Sequence, residues 1–422
     1  MNESPEQNTL LDRLRNFAGR ALNGADGRPI ILYFLRQPER LGQLLLEMHV
    51  LKGVFSPVDY QIFVAHPRIL PRSRHFSQDS YNIAMRDVVP LEAMTDEDDR
   101  LCYSDMREPV PLGFDPPITL IMGSDPCITR MWHEKYGNRR SGYPTLWLTD
   151  SEKERGERLR RRFGILPETP IVTLHVREHG LLRLGYEIHR NADIGNFEAG
   201  IRLLVENGYA VIRVGDPLCK PLPFTCEGVF DTPFIKDYDR IGEPYFMSVC
   251  DFMMGSYSGP AQFATAFNRP VLSINVLPQE QTLMTDEVVV HRSILRIGGS
   301  RPLGLAEISR IGMMNAIAAN FEAAGCTSEE NDSALIRDAV AEMIARRRGK
   351  FAASPALALA NQKLAAFGRR RNAAHRADPS HFIGYSFIGM EGRYSLTEAF
   401  LARHPDYLDQ IEADGSVANS PQ

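Results

Sequence analysis

Apolar residues along the chain fall into short runs separated by polar turns, and the runs alternate between strand-like and helical spacing. Arg28 to Leu35 (RPIILYFL) reads as a buried strand; after a polar turn, Leu41 to Leu51 repeats at helical spacing and stops at Gly53. Gln61 to Ala65 and Ile118 to Met122 predict further short strands, set among Pro-rich and acidic loops such as Thr95 to Arg100 (TDEDDR). The charged stretch Ser151 to Arg162 predicts a helix ending before Gly164 and Pro167, which together suggest a hinge.

The next stretch is the most regular. Pro170 to Val176 (PIVTLHV) predicts a strand, Phe197, Ile201, Leu204 and Val205 mark a helix face that stops at Gly208, and Tyr209 to Val214 resumes as strand. A helix from about Gly242 to Cys250, a strand at Asp251 to Met254, a helix at Ala261 to Phe267 and a strand at Pro270 to Val276 continue the alternation. Strands alternating with helices imply right-handed crossovers and a parallel sheet, so the fold class is α/β with a Rossmann-like half. From about Ser333 the chain turns helical and basic, with Arg346, Arg347, Arg348 and Arg369, Arg370, Arg371. The predicted division is an amphipathic segment at 1–27, an α/β domain at 28–165, a Rossmann-like domain at 166–330 and a helical extension at 331–422.

Composition narrows the function classes. A chain of 422 residues is long enough for two domains. With 43% hydrophobic and 24% charged residues and a net charge of -5, it is neither a disordered chain nor a nucleic-acid binder. No apolar run approaches the ~18–20 residues that span a bilayer, and MNESPEQNTL lacks the basic-then-apolar order of a signal peptide, so a cytoplasmic protein is expected. The six cysteines (102, 127, 219, 226, 250 and 326) show no C-x-x-C spacing and read as reduced thiols. Leu10, Leu11, Leu14, Phe17, Ala18 and Leu22 recur at helical spacing among Arg13, Arg15 and Arg20. That stripe could lie on the inner face of the membrane as a peripheral contact. A helix packed on its own domain is the favoured reading, because such stripes are usually core faces.

In an open parallel sheet, ligands bind beyond the carboxyl ends of the strands, and the residues there are polar in this chain. The first strand of the Rossmann-like half ends in His175, Val176, Arg177, Glu178, His179 and Gly180, and alternation sends His175 and Arg177 to the same side. Arg177 could fork two hydrogen bonds onto a phosphate, or it could make a structural ion pair. In Gly255 to Pro260 (GSYSGP), Pro260 opens a helix with Gly259 or Ser258 capping it, so the amides of Ala261 and Gln262 are expected to be unpaired. With the hydroxyls of Ser256 and Ser258 they would make a diphosphate site, unless the turn is a self-capped connection. Arg190 and Asn191 precede the first crossover helix and Arg213 and Gly215 end the second strand, placing more polar groups on that edge; Asp193 is a candidate base or simply a helix cap.

No metal or cofactor is predicted. Two D-x-D-like triplets, Asp96-Glu97-Asp98 and Asp237-Tyr238-Asp239, are discounted, the first as a solvated acidic run and the second as a helix start. There is no Cys/His ligand spacing, no G-x-S-x-G, no P-loop and no G-x-G-x-x-G, which argues against zinc enzymes, α/β-hydrolases, P-loop NTPases and NAD enzymes.

LHVREHG, HRNADIGNFEAGIRLLVENGYAVIRVGDP, IKDYDR and SYSGPAQFATAFNRPVLSIN together resemble a little-characterised family of bacterial glycosyltransferases associated with surface polysaccharide. The likeness covers roughly His175 to Pro278, with weaker echoes in RLGQLLLE and SFIGMEGRYSL. H-x-R after the strand is also similar to the element of fucosyltransferase-like GT-B enzymes, where that arginine contacts the donor diphosphate. Those enzymes commonly place another basic residue next, where this chain has Glu178.

The resemblance implies a GT-B-like architecture of two Rossmann-like domains facing a cleft, with the nucleotide-sugar donor on 166–330 and the acceptor, a glycan or a lipid-linked sugar, held by 28–165. It implies metal-independent transfer in which Arg177 meets the diphosphate, His175, Arg190, Asn191, Arg213, Gly215, Ser256, Ser258, Gly259 and Pro260 line the donor site, and Glu178, His179 or Asp193 is the base. Two other readings remain open at the level of sequence. One is a GT-B-fold epimerase or hydrolase of the sugar nucleotide; the other is a non-catalytic sugar-nucleotide-binding component of an assembly complex.

Overall fold

The computed structural model describes residues 5–68, 76–102, 109–122, 131, 135, 144–178, 189–256, 258–278, 287–311, 318–377 and 394–418. The chain divides into two compact units, Met1–Gly137 with Tyr143–Leu148, and Asn138–Gly142 with Thr149–Gln422.

The first unit is built on a five-stranded sheet of β1 (Ile30–Phe34), β2 (Gln61–His66), β3 (Val89–Glu92), β4 (Val110–Leu112) and β5 (Ile118–Met122), in the order β3-β2-β1-β5-β4. All neighbours are parallel except β4, which runs antiparallel on the edge. The central β1 is buried over its whole length, as its unbroken apolar run requires of a strand covered on both faces. The amphipathic helix Pro5–Asn23 lays Phe17, Ala18 and Ala21 against Ile30, Leu32 and Phe34, with Phe17 and Phe34 edge-to-face at 5.1 Å. Its basic residues are engaged too: Arg20 donates to the Glu92 carbonyl (3.0 Å) and Arg13 pairs with Asp98 (3.7 Å). From Leu14 onward the apolar stripe is thus used on the unit's own sheet, and that packing gives no support to a membrane contact; the side chains of Leu10 and Leu11 lie outside the described residues.

The helix Leu41–Val54 shows no one-sided stripe, because it is buried all round from Leu44 onward. Its inward polar groups have partners. Tyr33 Oη and Gln43 Nε2 donate to the Glu47 carboxylate, and Lys52 Nζ donates to the Ala84 carbonyl at 2.8 Å.

The second unit carries β6 (Ile171–His175), β7 (Ala210–Arg213), β8 (Val229–Asp231), β9 (Phe252–Ser256), β10 (Val271–Val276), β11 (Glu287–His291), the antiparallel pair β12 (Ser293–Arg296) and β13 (Cys326–Glu329), and β14 (Tyr394–Leu396). Seven of these form one sheet, β14-β11-β10-β9-β6-β7-β8, with every pair parallel. The chain enters at β6 in the middle, runs outward through β7 and β8, then returns to the other side of β6 as β9 and runs outward again. Strand order therefore reverses between β6 and β9. Val172, Leu174, Phe252, Met254, Leu272 and Ile274 pack with Phe197, Ile201 and Leu204 of the crossover and with Ile336 and Val340 of the helix Ser333–Arg347.

Two boundaries differ from the sequence expectation. The helix Asp150–Arg162, placed before the division at 165, belongs to the second unit. It opens with a reciprocal Thr149/Glu152 capping box, its Arg155 forks onto Asp239 (2.6 and 3.0 Å), and Arg162 donates to the Asp237 carbonyl. Gly156 explains how the helix gets so close: a Cβ there would sit 2.6 Å from Tyr245 Cδ1 of the helix Gly242–Val249. The segment from 331, expected as a helical extension, is mostly helical but also supplies β14 to the main sheet. Its Tyr407 and Tyr394 hydroxyls flank the buried His291 ring at the end of β11 (2.7 and 3.3 Å), so it is integral to the unit. Cys102, Cys219, Cys226, Cys250 and Cys326 are all unbridged; Cys127 lies outside the described residues. No described helix is long and apolar enough to cross a membrane.

Candidate functional site

The reversal of strand order opens a crevice at the carboxyl ends of β6 and β9, where ligands of doubly wound sheets bind. The two strands are unusually close at that point. His175 is paired with Gly255, whose φ of +152° is a conformation open to glycine, and a Cβ on Gly255 would lie 2.7 Å from the His175 carbonyl carbon. One residue on, Ser256 Oγ accepts from the Arg177 amide at 2.6 Å. The crevice floor is therefore a pair of strand ends locked to each other.

His175 and Arg177 stand at this edge, as the sequence predicts. His175 Nδ1 lies 3.1 Å from the Val214 carbonyl; a carbonyl only accepts, so Nδ1 carries the proton and Nε2 presents a lone pair. Burial, reinforced by the charges of Arg213 and Arg177, pushes the imidazole down to about 4, and the ring is neutral at pH 7. Arg177 directs Nε to Asn191 Oδ1 (3.4 Å), while its carbonyl accepts from the Ala192 amide (2.8 Å). Asn191 and the half-buried Arg190 are thus brought to the end of β6 by the segment that leads into the crossover helix.

Other predicted residues have different work. Arg213 does not face a ligand. It is 1% exposed, with Nη1 on Asp231 (3.0 and 3.2 Å) and Nη2 on Glu178 (2.9 Å). Glu178, a predicted base, is the other half of that pair and also accepts from the Lys220 amide at 3.1 Å; burial raises its carboxyl above the usual range even with Arg213 beside it. Asp193 caps the short turn Ile194–Phe197 through Gly195 N (3.0 Å), the plainer of its two sequence readings. Ser256 is buried and tied to Arg177 N. At Gly215 an added Cβ would be in ordinary contact, 3.7 Å from His175 Nδ1, so nothing there requires glycine. His179 lies outside the described residues.

The turn through Ser258, Gly259 and Pro260 corrects a further expectation. The Ala261 amide donates to the Ser258 carbonyl (3.1 Å) and the Gln262 amide to the Gly259 carbonyl (3.0 Å). Pro260 is already in the right-handed helical region, so the turn tightens into i-to-i−3 bonds and satisfies its own first amides. The two N–H groups assigned to a diphosphate are engaged.

Sequence reasoning missed Arg292 and Glu330. Arg292, just after β11, sends Nη1 to the carbonyls of His189 and Asn191, both at 2.7 Å. Its Nη2 pairs with Glu330 (3.5 Å), whose Oε2 accepts from Asp193 N (2.7 Å) and Asn196 Nδ2 (3.3 Å). Glu330 also borders a cavity of about 340 Å³ lined by Ser293, Arg301, Asn331, Arg403 and Tyr407 among others. None of the sequence-predicted donor residues lines that cavity.

Three carboxylates of the D-x-D-like triplets have partners. Asp96 pairs with Arg68, Asp98 Oδ2 accepts from the amides of Met94 and Thr95, and Asp239 is held by Arg155. Among the described residues no three His, Cys, Asp or Glu side chains are gathered as a metal site.

No protein-family model and no curated protein matches the chain. Among solved structures, the chain is similar to the glycosyl transferase family 9 protein of Veillonella parvula, with 10% identity and a TM-score of 0.39 over 63% of this chain and 86% of that one. It is similar to the ADP-heptose LPS heptosyltransferase II of E. coli, with 11% identity and a TM-score of 0.39 over 63% and 90%. The MnaA–UDP complex of S. aureus gives 10% identity and a TM-score of 0.25 over 78% and 99%. The α/β class with a parallel sheet expected from the sequence is carried by the chain's own strand order and pairing.

Proposed function

We propose that this chain is a metal-independent glycosyltransferase, taking the sugar of a nucleotide-sugar donor to a glycan or lipid-linked acceptor in surface polysaccharide synthesis. The observation that supports this best is that Arg177 stands two residues beyond the end of β6, where the strand order reverses. A guanidinium at a crevice formed by converging strand ends suits a diphosphate, whose charge grows as the glycosidic bond breaks. His175, neutral and with its Nε2 lone pair set by Val214, supplies an acceptor there for a hydroxyl or amide of the donor. Asn191 and Arg190 complete the donor side; the first unit holds the acceptor. Of the three sequence candidates for the base, Glu178 is held in the Arg213 ion pair and Asp193 caps Gly195, while His179 lies outside the described residues.

Thermal-shift screening against UDP-, GDP-, ADP- and CDP-sugars tests the reading, since a ligand bound only by the folded state raises the melting temperature. No shift with any of them would overturn it. With a donor in hand, Arg177→Ala should weaken its binding by about 1.5–3 kcal/mol, or about 10- to 150-fold, the range for a hydrogen bond to a charged group. Calorimetric titration of the folded variant checks this, and unchanged affinity would make Arg177 structural. Transfer activity should survive EDTA; complete loss restored by Mn²⁺ or Mg²⁺ would return a metal role to the acidic triplets.

A further inference from the structure

We infer that Arg292, held by Glu330, is a positioning residue that sets the direction of the Arg177 guanidinium through Asn191; the inference rests on the diphosphate reading of Arg177. The segment from His189 to Asn196 touches Arg177 twice, with Ala192 N on its carbonyl (2.8 Å) and Asn191 Oδ1 on its Nε (3.4 Å). Regular secondary structure contributes little to holding that segment, which is irregular at 191–193 between short 3-10 turns. Its rigidity comes from across the sheet. Arg292 grips the main chain on both sides of Arg190, through the carbonyls of His189 and Asn191 at 2.7 Å each. Glu330 receives Asp193 N and Asn196 Nδ2 on one oxygen and faces Arg292 with the other. The His189 ring adds a third anchor, stacked on Phe321 at 3.9 Å with Nδ1 3.2 Å from Ser328 Oγ.

Arg292 is only 7% exposed, which suits a structural fork rather than a surface ligand. Its geometry also requires arginine. One terminal nitrogen reaches two carbonyls while the other faces a carboxylate, an arrangement that the single point charge of a lysine does not reproduce. Positioning matters energetically because a phosphate-binding fork displaced by about 1 Å loses much of its effect. The clamp therefore connects β11 and β13 to the arginine that follows β6.

A double-substitution cycle tests this, read by isothermal titration with UDP, GDP, ADP, CDP and inorganic pyrophosphate as probes. Arg177→Lys keeps the charge but lacks the Nε–H that meets Asn191, so binding remains measurable. Arg292→Met should weaken the tightest-binding probe about tenfold in the wild-type background and less than twofold in the Arg177→Lys background. Equal losses in both backgrounds, or no loss in either, would overturn the role while leaving the diphosphate reading standing. Should Arg292→Met fail to fold, Glu330→Gln takes its place in the same cycle, with a loss of about threefold expected only when Arg177 is present. If the wild type binds none of the probes, the diphosphate reading falls and this role falls with it.

Discussion

Gly255→Ala is expected to cost more than ~4 kcal/mol of stability, or to prevent the second unit from folding at all. The added methyl would overlap the His175 carbonyl group, a backbone atom of a central strand that cannot swing aside as a flexible side chain would. The φ of +152° adds to the penalty, since alanine rarely adopts it. Relief would require β6 and β9 to separate, breaking the Arg177 N to Ser256 Oγ bond and widening the crevice at its floor. Gly215→Ala is the control: its methyl would meet only ordinary contacts, so a change within about 0.5 kcal/mol is expected. Thermal unfolding followed by far-ultraviolet circular dichroism separates the two. If Gly255→Ala melts within a degree or two of wild type, the strands do not run this close and the crevice lies elsewhere.

The sequence made the strands and helices around this glycine legible because their periodicities are unmixed. The expected strand at Ile118 to Met122 is the observed β5, and the helix face at Phe197, Ile201 and Leu204 packs in the core, ending at a left-handed Gly208. Strands β8 and β14 escaped notice because three residues are too few to show an alternation. β11 was hidden by its ends: Glu287 and His291 look like turn residues, yet both are buried, Glu287 beneath the Ser273 hydroxyl and His291 between two tyrosines. The reversal of strand order was not legible even though β6, β7, β9 and β10 were, because which strands lie side by side is a long-range property. The site suffered in the same way. Arg177 follows a recognisable strand and could be singled out, but its indirect support from Arg292 and Glu330 spans 101 positions to Asn191 and 137 to Asp193, where no local pattern exists. The turn at Pro260 failed for another reason. Helix-start composition was read correctly, but whether the first amides stay open depends on the backbone angles of the turn, and with Pro260 already right-handed helical they are closed.

Arg213→Met should lower stability by roughly 3–5 kcal/mol, the range for removing one partner of a buried ion pair. Arg213 ties together the carboxyl ends of three adjacent strands. It comes from β7, holds Asp231 of β8 with one nitrogen and Glu178 beyond β6 with the other, and its own carbonyl receives the Thr232 hydroxyl at 2.6 Å. The same carboxylates accept from the amides of Lys220 and Leu222, so the loop after β7 hangs on them as well. Methionine fills similar space but leaves two carboxylates facing an apolar stem. The deficit should depend on pH. Burial raises the Glu178 carboxyl above its usual 4.5, with Arg213 the main force restraining that rise. A raised folded-state value means that ionisation of Glu178 costs stability, a cost absent below about 4.5 and growing as pH rises through the folded value. Without Arg213 the cost at neutral pH is larger, so the gap in melting temperature between wild type and Arg213→Met should be widest at pH 7 and narrow toward pH 5. Adding Glu178→Gln to Arg213→Met should recover part of the loss at pH 7, because an amide carries no charge to desolvate. The opposite result would restore the ligand role read from the sequence: Arg213→Met melting as wild type at both pH values while losing affinity for a nucleoside diphosphate.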